Sequence, residues 1–124
     1  MNQLAFREID GPPRAREPAS IDRAHLSQMT LGDQTLEREV LQLFDRQAEM
    51  LVARMEKVAS SCVPPLAHTL KGSARGIGAW DVASAAETLE LADGSATEFE
   101  AAKRRLAGAV EKARVAIAEL LRAH

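Results

Sequence analysis

Tyrosine is absent from the chain and the only aromatics are Phe6, Phe44, Trp80 and Phe99, which leaves strand assignments little to rest on. Cys62 is the single cysteine, which excludes an intramolecular disulfide and fits a reducing compartment, with a buried or incidental thiol as the expectation. No run of about 18 apolar residues occurs, and the first residues lack the charged-then-apolar plan of a signal peptide. A soluble, cytoplasmic protein without a membrane partner is expected. The formal charge of −2 supplies no basic field to hold phosphates, so nucleic acid is not an expected partner. A Walker-type phosphate loop, a dinucleotide fingerprint and a kinase signature are all missing, so neither ATP binding nor self-phosphorylation is expected.

What is present is helical. The 124 residues suffice for one core, 46% are apolar, and alanine, leucine, glutamate and arginine dominate. Residues 1–19 hold three of the five prolines and no sustained period, and read as a flexible tail with Leu4, Phe6 and Ile9 as its possible docking points. From Ser20, taken as an N-cap, a short helix is expected to about Met29, with Ile21, Leu26 and Met29 inward. A long amphipathic helix follows over about Gln34–Ala59, with Leu36, Val40, Leu43, Phe44, Leu51 and Met55 as its apolar side. Pro64 and Pro65 belong in a loop or a first helical turn, so a new helix starts near Val63. An alanine-rich helix over about Ala79–Ala92 sets Val82, Ala86 and Leu89 on one side, and a Thr97/Glu100 capping box opens a last helix carrying Phe99, Leu106, Val110, Ala113, Ile117 and Leu120. Four apolar stripes can be buried only against one another. The expected fold is all-α, an antiparallel four-helix bundle over residues 20–124 with a short additional N-terminal helix.

The segment "LAHTLKGSARGIGAW", Leu66 to Trp80, places three glycines in a helix where each interior glycine costs roughly 0.5–1 kcal/mol relative to alanine. At about 100° per residue, Leu66, Leu70, Ala74 and Ile77 form the inward stripe, and His68 lies about 165° from its centre, facing solvent. On the same projection Arg75 lies about 20° from His68, Gly72 about 40°, Lys71 about 60° and Gly76 about 80°. The outer face is one imidazole, two cations and two positions without a side chain. Gly72 and Gly76 clear space for another protein's reactive group, while Gly78 reads as the helix stop. A neutral imidazole nitrogen is a nucleophile suited to phosphoryl capture, Lys71 one turn on is placed to reach phosphoryl oxygens, and Arg75 is placed to steer an acidic partner.

"HTLKGSARGIG" resembles the active helix of histidine-containing phosphotransfer (HPt) domains, in which a lysine follows the histidine by three, a glycine comes next and a second glycine six further on. His68, Lys71, Gly72 and Gly78 match position by position, and the resemblance extends from about Ser20 to the C-terminus. It implies that His68 is the phosphoacceptor in a phosphorelay, taking a phosphoryl group from the aspartyl phosphate of a response-regulator receiver domain or returning it. It further implies that Lys71 supports the phosphohistidine, Gly72 gives access to the imidazole, and the receiver brings the Mg²⁺. A stoichiometric carrier is expected rather than an enzyme, acting as a monomer with no cofactor of its own, with receiver domains and a hybrid histidine kinase as candidate partners. The alternative is a non-phosphorylated helical-bundle adaptor that binds and regulates a receiver or kinase.

The remaining residues of interest have plainer expectations. His25 and His124 read as solvated surface, Trp80 as a half-buried packing residue, and Ser73 as a local hydrogen-bonding side chain. No ligand-type residue pairs with His68 at the i+3 or i+4 spacing of a helical metal site, so no metal is expected. His68 with Glu87 or Glu90 mimics a general-base pair, but no serine or cysteine nucleophile has a recognisable setting.

Overall fold

A computed structural model describes residues 20–123; the tail over residues 1–19 and His124 lie outside the described residues. Five helices follow in order: α1 (Arg23–Met29), α2 (Gln34–Met55), α3 (Val63–Ile77), α4 (Trp80–Glu90) and α5 (Ala96–Ala123). Helix α2 packs on α3, α3 on α4, α4 on α5 and α5 back on α2, which closes a four-helix ring, while α1 lies against α3 alone of the five in substantial contact. Short connections make sequential helices antiparallel neighbours. The all-α bundle with a short N-terminal helix is therefore the observed fold.

The core runs along the bundle axis. Leu41, Phe44, Ala48, Leu51 and Met55 of α2 meet Val63, Ala67, Leu70, Ala74 and Ile77 of α3, Val82, Ala83, Ala85, Ala86 and Leu89 of α4, and Leu106, Val110, Ala113 and Ile117 of α5. Alanine is used where helices approach most closely, and α3 against α4 is the most extensive contact. Phe44, Leu51 and Met55 are buried as expected, but Leu36 and Leu43 are exposed, and Leu41 and Ala48 complete the 3–4 spaced stripe instead. Val40 is only partly buried at its edge.

Helix ends differ from expectation where two capping residues compete. The N-cap of α1 is Asp22, whose side chain accepts from the His25 backbone N–H at 3.1 Å; Ser20 lies ahead of the helix. Met29 is exposed, since α1 has room for one inward turn only, filled by Leu26 with Ile21 just ahead of the helix. Helix α2 stops at Met55 instead of Ala59, and a single 3-10 turn over Ser60–Cys62 leads into α3. Cys62 is exposed, not buried. For α5 the cap is Ser95, whose hydroxyl accepts from the Glu98 N–H at 3.2 Å, two residues before the expected Thr97.

Gly78 ends α3 as expected and does more. Its φ of +79° is the left-handed cap conformation, and its carbonyl accepts from the Asp22 N–H at 2.9 Å, tying the entry of α1 to the α3–α4 corner. A Cβ there would sit 2.9 Å from both Cβ and O of Asp22. Gly78→Ala is therefore expected to cost more than the ~1 kcal/mol of left-handed strain alone, read as a lowered midpoint in urea unfolding with unchanged slope.

Candidate functional site

The site sits on the seam between α3 and α4. Pro64 and Pro65 open α3, as their fixed φ and missing N–H groups allow, so His68 stands about one turn into the helix. Its side chain is 67% exposed, in line with the helical projection. Lys71 is different. Only 13% of its side chain is exposed, because the stem lies along α4 and the ammonium is 2.8 Å from Oε1 of Glu90, the last residue of that helix.

Glu90 bridges both. Its Oε2 is 2.7 Å from His68 Nδ1, while Oε1 meets Lys71 at ion-pair distance but off the line of a well-directed hydrogen bond, so that oxygen has no hydrogen-bond partner. Lys71 chiefly, opposed by desolvation and helped by His68, holds the Glu90 carboxyl below its ordinary value. An ionised carboxylate only accepts, so in the neutral ring the proton sits on Nδ1, and Nε2 keeps its lone pair on the solvent side. That tautomer is the one a nucleophile at Nε2 requires.

The other predicted residues fall on the same outer surface with unequal roles. An added Cβ at Gly72 or Gly76 meets nothing within 4 Å, so neither glycine serves helix packing among the described residues. Arg75 is about half exposed and faces Glu87 at 3.6 Å, a solvated pair worth little to stability. Of the two carboxylates considered for His68, Glu90 reaches it and Glu87 pairs with Arg75.

Sequence reasoning missed the bridge from Glu90 to Lys71. The signal was there in charge spacing: Lys71 and Arg75 on α3 oppose Glu90 and Glu87 on α4, in the reversed order that antiparallel helices impose. His25 is not merely solvated surface. Its Nε2–H donates to the Arg75 carbonyl at 2.9 Å, and its ring lies 4.8 Å from that of Trp80. Trp80, expected as a packing residue, is instead exposed, and its indole N–H donates to Asp22 Oδ2 at 2.9 Å.

That indole contact, followed by the His25 backbone N–H, lowers the Asp22 carboxyl from its ordinary 3.8. A carboxylate depressed in the folded state contributes stability above its unfolded value, and the contribution disappears as pH falls through the folded value. Asp22→Ala is expected to cost about 1 kcal/mol at neutral pH through the lost cap. The gap between the thermal melts of the two proteins should narrow as pH falls below about 4 and close only below the depressed folded value of Asp22.

Among the described residues no group of three or more His, Cys, Asp or Glu is placed to hold a metal ion, and no helix is long and apolar enough to cross a membrane. Residues 34–121 match the family model described as "Hpt domain". No curated protein sequence matches the chain. Among solved structures, the histidine phosphotransferase ShpA from Caulobacter crescentus is 28% identical, with a TM-score of 0.59 over 85% of this chain and 98% of that one. An Hpt match that runs from the first residue of α2 nearly to the end of α5, on a bundle shared with a histidine phosphotransferase, settles kinship: the chain belongs to the Hpt domain family, whose general role is phosphorelay signalling.

Proposed function

We propose that this chain is a stoichiometric phosphocarrier in which Nε2 of His68 accepts a phosphoryl group from the aspartyl phosphate of a response-regulator receiver domain and passes it to another. The lone pair of Nε2 forms the N–P bond as the P–O bond to the receiver's aspartate breaks, and that bond's electron pair stays on the aspartate carboxylate. The observation that carries the proposal is the Glu90 contact at 2.7 Å, which leaves the nucleophilic nitrogen outward on an imidazole that is 67% exposed.

Lys71 supports the phosphoryl oxygens as a positive charge one turn from His68 on the same helix, while its ammonium stays on Glu90. Gly72 gives the receiver access to the ring, and Arg75 and Gly76 belong to the surface it docks on. The Mg²⁺ and the acidic pocket come from the receiver, and a hybrid histidine kinase is one source of such a receiver. Every named site residue comes from one copy, so a monomer suffices for transfer. The reading assigns the phosphotransfer unit to residues 20–124, leaves residues 1–19 outside it, and places the protein in the cytoplasm, where receivers work. Mixing the chain with a phosphorylated receiver tests it: acid-labile, alkali-stable label should appear on this chain. Binding without any label would instead favour an adaptor.

A further inference from the structure

Glu90 is anchored independently of the ring it touches. Lys71 holds one oxygen from behind, and the Glu90 side chain is only 20% exposed although the imidazole beside it is 67% exposed. Modification at Nε2, on the far side of the ring, leaves the contact at Nδ1 in place. The charged groups around it are Lys71 and Arg75 on α3 and Glu87 and Glu90 on α4; Arg75 and Glu87 face each other, and His25 of α1 reaches the Arg75 carbonyl and not the His68 ring.

Attack by Nε2 while Nδ1 keeps its proton turns the ring into an imidazolium bearing the phosphoryl group. Two fates follow. If the Nδ1 proton stays, breaking the N–P bond returns the electron pair to Nε2 and releases a neutral imidazole, a good leaving group. If the proton is lost to water, the leaving group is imidazolate, which is far more basic and leaves slowly. A carboxylate at hydrogen-bond distance from Nδ1 favours the protonated ring. Resting on the carrier reading, we propose that Glu90 is a positioning residue that holds the proton on Nδ1 of phosphorylated His68, keeping the phosphoryl group transferable at neutral pH.

The test uses the full chain and its Glu90→Gln variant, phosphorylated with potassium phosphoramidate so that no receiver is needed, with His68→Gln as the control for His25 and His124. Glutamine keeps the size and an accepting oxygen while removing the charge, and Glu90→Asp asks whether a carboxylate restores the behaviour. The ring titration is followed by ³¹P and ¹⁵N resonances of phospho-His68, and N–P hydrolysis is timed across the same pH series. In the wild type the titration midpoint should lie about one pH unit above that of Glu90→Gln, a tenfold difference in protonated fraction on the alkaline side. Hydrolysis at about pH 8 should be several-fold faster in the wild type, since the protonated fraction sets the leaving group. Superimposable pH profiles would overturn the proposal, as would failure of phosphoramidate to label His68. The predicted profiles combined with no transfer from any receiver would sink the carrier reading while leaving the Glu90 chemistry standing.

Discussion

His68→Gln is expected to abolish phosphoryl acceptance and to leave the fold unchanged. The imidazole is 67% exposed and makes one side-chain contact, to Glu90, so its replacement removes nothing from the core. Surface changes of this kind usually stay within about ±0.5 kcal/mol. Glutamine has no nitrogen lone pair available for an N–P bond, because its amide nitrogen is conjugated, so the loss of label should be complete and not graded. The variant should melt within a few degrees of the wild type and still bind a receiver in a pull-down or titration. A variant that took up alkali-stable label at the wild-type level would place the acceptor elsewhere, at His25 or His124.

Gly72→Leu is expected to separate stability from function in opposite directions. Among the described residues nothing outside the local helix backbone lies within 4 Å of an added Cβ at Gly72, and the position is helical, so replacing glycine should raise stability by about 0.5–1 kcal/mol. Helical side chains tilt toward the N-terminus, which lays a leucine at position 72 over the residue four before it, His68. The phosphorus of a receiver's aspartyl phosphate must come within bonding distance of Nε2, and displacement by even about 1 Å can cost on the order of 10²-fold in rate. Phosphotransfer should therefore fall by about that factor while urea denaturation shows a more stable protein. If transfer were unaffected, the glycine would not be clearing a path, and the approach to His68 would lie on another side.

How much of this was legible beforehand varies with the kind of signal. The bundle, its helix order and the outward turn of His68 follow from the 3.6-residue period, and the structure places all three as the period implied. Gly78 was legible as a stop because left-handed caps favour glycine, but its contact with Asp22 was not, since that partner is more than fifty residues away. The α2 stripe was misjudged by following Leu36 and Leu43, large residues that point outward, when Ala48 and Leu41 complete the true face. Alanine carries little hydrophobic signal, yet a close helix contact requires it. Caps were misplaced by two residues at both α1 and α5, where Asp22 and Ser95 compete with Ser20 and Thr97, chemically equivalent caps. At the site, residues within α3 were readable because one helix fixes their geometry. Glu90 belongs to another helix, and its bridge to both His68 and Lys71 depends on how α3 and α4 pack, so the reversed order of opposite charges on the two helices was its one trace in the sequence.

A reconstituted relay asks whether the chain carries phosphate between receivers. One receiver domain carrying a labelled aspartyl phosphate is mixed with a second, unlabelled receiver, with and without this chain or its His68→Gln variant. The account predicts that label reaches the second receiver only when the wild-type chain is present, passing through a transient alkali-stable label on the chain itself. Label that reached the second receiver equally well with the variant, or that never left the first despite detectable binding of both, would contradict it.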